Sequence, residues 1–507
     1  MRFLGWRAGT GPSGREHVGV EELLARLAAL EARVEALVAE NGMLRAENAA
    51  LRLRVTELET ELGKNSNNSS TPPSRDGVAP RKARSLRRAE QKAAGRPKGK
   101  QPGTPGRRLE PVDEPDERRS HPPVCCTGCG SGLDAAPVVG TEVRQVFDIP
   151  PLQVRVTEHT LEKRRCACGT VTAGVFPADA IAATCWGPEA RAYAVYLMDR
   201  HHIPVARVAE LLSDMVGAPV STGWVWGCHV EAARRLKPFI TELKALLLAS
   251  PVVHADETGT QVDTVKHWVH TIATGLLTLL VVHKKRGREA IIDMGILTEH
   301  TGTVVHDGWA PYDTISCVLA HAQCGAHLLR HLAGLGEVTA AKPFVDAMAT
   351  VLIAAKTASE TAADRGRKRV DRRTAKRIRG EYQAALNVGF GLCPPGRPPR
   401  LKRSGAGTWN AWQRTLWNLA HRMDTGADDV LRMLDDTAVP FDNNEAERAL
   451  RMVKLHDKIS GGWRSLASAQ DFATVRSYLQ TAGKHGINRL DVLRQLFTTG
   501  PWLPAHP

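Results

Sequence analysis

Leucine recurs at every seventh position through Leu23, Leu30, Leu37, Leu44, Leu51 and Leu58. With these as d positions, the a positions read Val20, Leu27, Val34, Asn41, Asn48, Val55 and Leu62. Valine and two buried-type asparagines at a, with leucine at d, predict a parallel dimeric coiled coil over 20–62 held in one register. The flanks agree, because each g residue faces an e residue five further along the partner: Arg26 with Glu31, Glu40 with Arg45, Glu47 with Arg52, and Arg54 with Glu59. A single surface helix is the plainer alternative, and Gly42 is a local weak point. Residues 1–19 carry no such pattern and read as an unstructured N-terminus.

The periodicity stops after Leu62. Residues 63–120, from GKNSNNSSTPPSRDG through GRPKGKQPGTPGRR, read as a disordered basic linker. Arg96 and Lys98 in GRPKGK suit an extended arm in an A·T-rich minor groove. EVRQVFDIPP and LQVRVTEHTL alternate like two strands around Pro150 and Pro151. Within 185–245, two amphipathic stretches break at Gly217, and Ser221 offers the second an N-cap. That pattern predicts a helix-turn-helix with RAYAVYLMDRHH as a packing helix; a helical hairpin with no DNA role is the alternative. From 250 the pattern becomes α/β: PVVHADETGT, KHWVHTIAT and LLTLLVVH as strands, GREAIIDMGIL as a helix, and GTVVHDGWAPY as another apolar run. A helical, Arg- and Lys-rich insertion covers about 335–435, and 481–507 reads as a C-terminal tail.

A chain of 507 residues is long for one domain, and its formal charge of +14 favours a polyanionic partner. No apolar run approaches the ~20 residues needed to span a bilayer, and MRFLGWRAGTGPSG is no secretory signal. The cysteines are therefore expected in a reducing cytoplasm, where clusters suggest metal rather than disulfides. Cys126 and Cys129 in CCTGCG, with Cys166 and Cys168 in RRCACG, fit a structural zinc ribbon over 121–180. Cys125 is a rival for Cys126. Four thiolates leave the metal no open position, so the site has no catalytic role. Cys324 and His327 read as core residues rather than zinc ligands.

Two apolar runs end in Asp256 and Asp307, which side-by-side strands bring to one sheet edge. Carboxylates so gathered suit hard divalent ions about 3.5–4 Å apart across a scissile phosphate. The plain reading is that such aspartates form turns. Glu447, in FDNNEAERALR, supplies a third carboxylate from a helix start, or else closes a capping box with Asn444 and pairs with Arg451. Arg448, Arg451, Lys454 and Lys458, then Arg464 in SGGWRS, suit phosphate oxygens; solvated surface charge is the alternative.

Together HADETGTQV, VVHDGWAPY, QCGAHLLRHL, VPFDNNEAERALRMVK and KISGGWRS resemble the insertion-sequence-66 family of bacterial DDE transposases. The likeness covers nearly the whole chain, including the leading coiled coil and the cysteine pairs. It implies a multidomain α/β protein whose RNase H-like catalytic domain, 250–480, carries Asp256, Asp307 and Glu447 as ligands for Mg²⁺ or Mn²⁺. Glu257 and Glu445 do not match the family positions. The implied activity is strand cleavage and transfer at the DNA ends of a mobile element. Implied partners are element and target DNA, a second copy joined through the coiled coil or a larger synaptic assembly, and accessory element-encoded proteins, in a bacterial, nucleoid-associated cytoplasmic setting. A DNA-binding regulator without turnover and an RNase H-like nuclease are the alternatives.

Overall fold

A computed structural model describes residues 19–63, 109–149, 152–315, 320–398 and 409–505. Residues 1–18 and most of the expected linker, with Arg96 and Lys98, lie outside them. Helix α1 (Val20–Gly63) is followed by β1 (Lys163–Arg165) and β2 (Val171–Ala173), an antiparallel hairpin. Helix α2 (Pro188–Val195) runs into a π-helical turn, Tyr196–Arg200, and α3 (Val205–Val216), α4 (Thr222–Arg235) and α5 (Lys237–Ala249) follow. The α/β section comprises β3 (Val252–Val262), β4 (Val265–Ala273), β5 (Thr278–His283), α6 (Arg288–Met294), β6 (Thr303–His306), α7 (Ala310–Asp313) and β7 (Ala320–Gln323). Next come α8 (Gly325–Leu335), α9 (Lys342–Asp364), α10 (Arg372–Gly391), α11 (Ala411–Thr425) and α12 (Ala427–Val430). The chain closes with α13 (Asn444–Ile459), α14 (Leu466–Lys484) and α15 (Arg489–Thr498). The strands β3 to β7 form one mixed sheet in the order β5-β4-β3-β6-β7.

The chain divides into two compact units. The first comprises Met1–Gly77, Pro251–His254 and Thr301–Asn444. Its ladder is parallel, with Val252 to His254 of β3 beside Thr303 to Val305 of β6, and β6 beside β7. Parallel strands need cover on their faces, and β6 accordingly has no exposed residue. Helices α8 to α11 occupy much of the expected insertion and share a core of Phe344, Met348, Leu352, Tyr382, Leu386 and Leu416. Small residues set its closest approaches: a Cβ at Gly325 would come within 2.2 Å of the Phe441 ring, and one at Gly389 within 2.7 Å of Phe344. In α1, by contrast, the heptad side chains Leu30, Leu37, Leu44 and Leu51 are exposed.

The second unit comprises Val78–Ser250, Ala255–His300 and Glu445–Pro507. Strands β3 and β4 are joined by Asp263 and Thr264, both at positive φ, which is the two-residue turn that matches strand twist. Val262, Val269, Leu280 and Val282 from the sheet pack against Leu450 and Val453 of α13 and Phe472 and Ala473 of α14. Gly217 ends α3 in the left-handed conformation, and the Ser221 side chain accepts from Trp224 N–H at the start of α4. The break and cap read from the sequence are therefore present as a two-helix pair.

Two expectations are corrected. Residues 142–149 and 152–161 form no strand; the hairpin lies later, at β1 and β2. Val143, Phe147 and Ile149 are exposed, so the apolar side of their alternation has no core to bury against. The Gln145 side chain instead exchanges hydrogen bonds with the Val112 backbone, 2.8 and 2.6 Å long. Residues 481–507 are not merely a tail: they include the end of α14 and all of α15, whose Val492, Leu493 and Leu496 are buried.

Candidate metal centre

In the second unit, the alternation of β3 sends Asp256 and Glu257 to opposite faces. Glu257 is a buried ion-pair partner of Arg286, whose Nε and Nη2 donate to one carboxylate oxygen at 2.9 and 2.7 Å. Arg286 also lies over the Trp268 ring. Asp256 shares its face with Thr260 and Val262, and that face meets α13: Thr260 donates to Asp457 at 2.9 Å, while Lys454 Nζ donates to the Gly259 carbonyl. Further along, Trp463 N–H donates to Gln261 O at 3.1 Å. Helix and strand thus advance in the same direction. Glu447 lies on the stripe of Leu450, Lys454 and Asp457, at spacings of three, four and three. Going back from the Lys454 to Gly259 contact, seven helical residues cover about 10 Å at 1.5 Å each and three strand residues about the same at ~3.3 Å. By this count of rises Glu447 comes to about the level of Asp256.

The polar cluster before Glu447 is divided among separate tasks. Helix α13 begins at Asn444, whose N–H bonds to the Asp442 side chain at 3.1 Å, so Asn444 is the first helical residue rather than the cap. Asn443, fully buried, pairs with His254 Nδ1 at 3.0 Å through Oδ1, and its N–H donates to Cys324 Sγ at 3.2 Å. Cys324 and His327 are themselves buried. Glu445 pairs with Lys484 at 3.0 Å, and Glu447 lies 3.7 Å from Arg451.

In the first unit, Asp307 immediately follows β6. Its Oδ1 accepts from Trp309 N–H at 2.9 Å while Gly308 takes a positive φ, so it does form a turn. A residue without a sequence signal joins it: Arg422 of α11 bonds His331 at 3.2 Å, and its burial penalty is offset first by the charge of Asp307 and then by Asp313. Next to Asp307, His306 accepts from Gly308 N–H at 3.1 Å through Nδ1, which leaves the proton on Nε2, 3.2 Å from His321 Nδ1. Burial, then the neighbouring His321, pushes the His306 pKa down to about 3.

Of the expected phosphate contacts, Arg448, Arg451, Lys458 and Arg464 are exposed. Lys454 is occupied by Gly259 O and lies 3.8 Å from Asp457. The glycines of SGGWRS have a structural use: Gly461 has a positive φ, and a Cβ at Gly462 would come within 2.8 Å of Gln261 O.

The cysteines form two turns. Gly130 N–H bonds Cys126 O at 2.9 Å, Gly169 N–H bonds Cys166 O at 2.9 Å, and both glycines have positive φ. Cys126 Sγ accepts from Gly128 N–H at 3.4 Å, whereas Cys125 lies in a backbone bridge to Gly132 with its side chain exposed. Hydrogen bonds from Thr170 and then Cys166 pull Cys168 down to about 7; Ser131 acts likewise on Cys129. These thiols suit zinc, although among the described residues no three of them have sulphurs within 4.8 Å of one another.

Residues 123–169 match the zinc-finger binding domain of transposase IS66, a span containing all four cysteines and supporting structural zinc. Residues 18–110 match a family of unknown function, DUF6444. No curated protein matches the chain. Among the described residues no helix is long and apolar enough to cross a membrane. Residues 183–471, which contain Asp256, Asp307 and Glu447, match the transposase IS66 family, and on that extent of match the chain belongs to this family.

Proposed function

We propose that this transposase binds the ends of its DNA element and catalyses divalent-metal-dependent strand cleavage and transfer, with Asp256, Asp307 and Glu447 as metal ligands. One observation carries the reading. Val252 pairs with Thr303, Val253 with Val304 and His254 with Val305, so over these three pairs residue n of β3 stands beside n + 51 of β6, and Asp256 and Asp307 have that same separation in sequence just past them. The level of Glu447 on α13 supports adding it as the third oxygen donor. A first strand at the sheet centre, with a parallel neighbour ending in the second carboxylate, also fits an RNase H-like domain.

Bound Mg²⁺ or Mn²⁺ supplies Lewis-acid activation of water or a strand 3′-OH and stabilises the leaving oxygen. The protein's part is to hold the carboxylates on rigid elements and to neutralise the strand. Arg448 and Arg451 flank Glu447 along α13 and suit phosphate oxygens. The α3–α4 pair reads as the end-recognition module, α1 as the dimerisation helix, and the cysteine turns as a zinc-stapled ribbon. The setting is the bacterial cytoplasm, with accessory element proteins as further partners.

The test is nicking of a plasmid bearing the element's own flanks, with accessory proteins supplied, by wild type and Glu447→Gln. Wild type should nick at the boundaries in Mg²⁺, while the variant binds the ends and does not cut. Equal cutting by both would reduce Glu447 to a helix-surface ion pair. Specific binding without cutting by either would favour the regulator.

A further inference from the structure

The second unit contains an open pocket of about 470 Å³ whose lining gathers Arg200, Arg448, Arg451, Arg476, Lys484 and Arg489, with Glu445 as its one lining carboxylate. Several of these cations are accounted for. Lys484 is bound to Glu445 and to the Leu277 carbonyl at 3.0 Å each, and Glu447 stands beside Arg451. Arg448 lies 3.5 Å from the already shared Glu445.

Among the described residues, no carboxylate is hydrogen-bonded to Arg476, Arg200 or Arg489. Arg476 is 1% exposed, and its Nη1 donates to the carbonyls of Asp199 and Arg200 at 3.1 and 3.3 Å. Its Nε and Nη2 are buried with no hydrogen-bond partner among the described residues. The charge of buried Asp199 offsets part of the burial penalty, but that carboxylate is held by His229 at 3.0 Å. Burial, then the charge of Arg200, pushes Arg476 down to about 9, and Arg489 is lowered by burial and by Arg200 in the same way. Among the described residues Arg489 spends only its Nε, on Leu479 O at 3.2 Å. A buried guanidinium with two idle donors, beside two further guanidiniums, is costly unless an anion completes the site.

We propose that this cavity is a phosphate-binding pocket taking a nucleotide's terminal phosphate monoester, with Arg200, Arg476 and Arg489 as its ligands. Planar guanidiniums grip a tetrahedral oxyanion through paired N–H donors, which a single ammonium does not. The volume falls in the ~300–1,000 Å³ range of small-molecule sites, larger than inorganic phosphate requires. The room beyond a phosphate suits an attached nucleoside, at the end of a DNA strand or in a free nucleotide. The pocket does not depend on the metal chemistry proposed above.

The full-length protein is titrated with duplexes that differ only in a 5′-phosphate, and its melting is followed with deoxyadenosine monophosphate and with inorganic phosphate against chloride at equal ionic strength. A preference of about fivefold or more for the phosphorylated duplex assigns the pocket to strand ends. Stabilisation by the mononucleotide without a duplex preference assigns it to a free nucleotide. In either case, the double variant Arg200→Gln, Arg489→Gln, folded by circular dichroism, should lose the phosphate-dependent difference. If neither ligand shows a phosphate effect, or if the folded double variant retains the whole effect, the proposal is overturned.

Discussion

Asn443 Oδ1 lies 3.0 Å from His254 Nδ1, and both side chains are buried. The pair ties the segment entering α13 to β3, two residues before Asp256. Asn443→Ala should therefore leave a buried imidazole nitrogen without its partner and cost about 1–3 kcal/mol. Urea unfolding checks this; an unchanged midpoint would mean that water or another group replaces the amide.

Glu257 and Glu447 should separate cleanly. Glu257→Gln weakens the ion pair with half-exposed Arg286, costing about 1–2 kcal/mol, and should leave strand nicking intact. Loss of nicking in a folded Glu257→Gln protein would move the catalytic role to the other face of β3.

Four sulphurs should account for one zinc. Serine at Cys126, Cys129, Cys166 or Cys168 should each reduce bound zinc in the purified protein, whereas Cys125→Ser should retain about one per chain. Emission spectrometry on each variant reads the result. Zinc lost with Cys125→Ser but retained with Cys126→Ser would exchange those two ligands.

Burial also sets an acid limit. His270, 1% exposed, has its pKa pushed from 6.5 to about 4 by burial, only partly offset by its bond to Lys285 O. Below pH 6.5 the unfolded chain takes up a proton that the folded one refuses. This contribution is therefore full above pH 6.5 and declines toward pH 4, by about 1.4 kcal/mol per unit and about 3 kcal/mol in all. In urea midpoints between pH 7.5 and 4.5, His270→Gln should flatten the slope; parallel slopes would rule the contribution out.

The exposed heptad leucines of α1 should be covered by a second copy. Leu37→Lys with Leu44→Lys should convert a dimer to a monomer in sedimentation, while Asn41→Leu with Asn48→Leu should keep association but broaden the oligomeric state. A monomeric wild type would contradict the heptad reading.

Strands β3 to β6 and helix α6 were legible because their apolar spacing matches what they bury. Strand β7, AHAQ, was not: four residues without alternation become a strand only through parallel pairing with β6. Asp256, Asp307 and Glu447 stood out as carboxylates at the ends of apolar runs and at a helix start. Arg422 did not, since it reaches the Asp307 region only through the folding of α11. The Arg476 pocket was equally hidden, because its cations come from separate helices and a lone arginine in an amphipathic pattern looks like surface charge.

The most direct measurement is a metal-specificity switch at Asp307, whose turn-forming bond to Trp309 offers a purely structural alternative. Boundary nicking by Asp307→Cys is compared in Mg²⁺ and in the more thiophilic Mn²⁺. The account predicts a folded protein that is inactive in Mg²⁺ and regains cutting in Mn²⁺. Cutting by Asp307→Cys in Mg²⁺ at the wild-type level would contradict it, leaving Asp307 as a turn residue only.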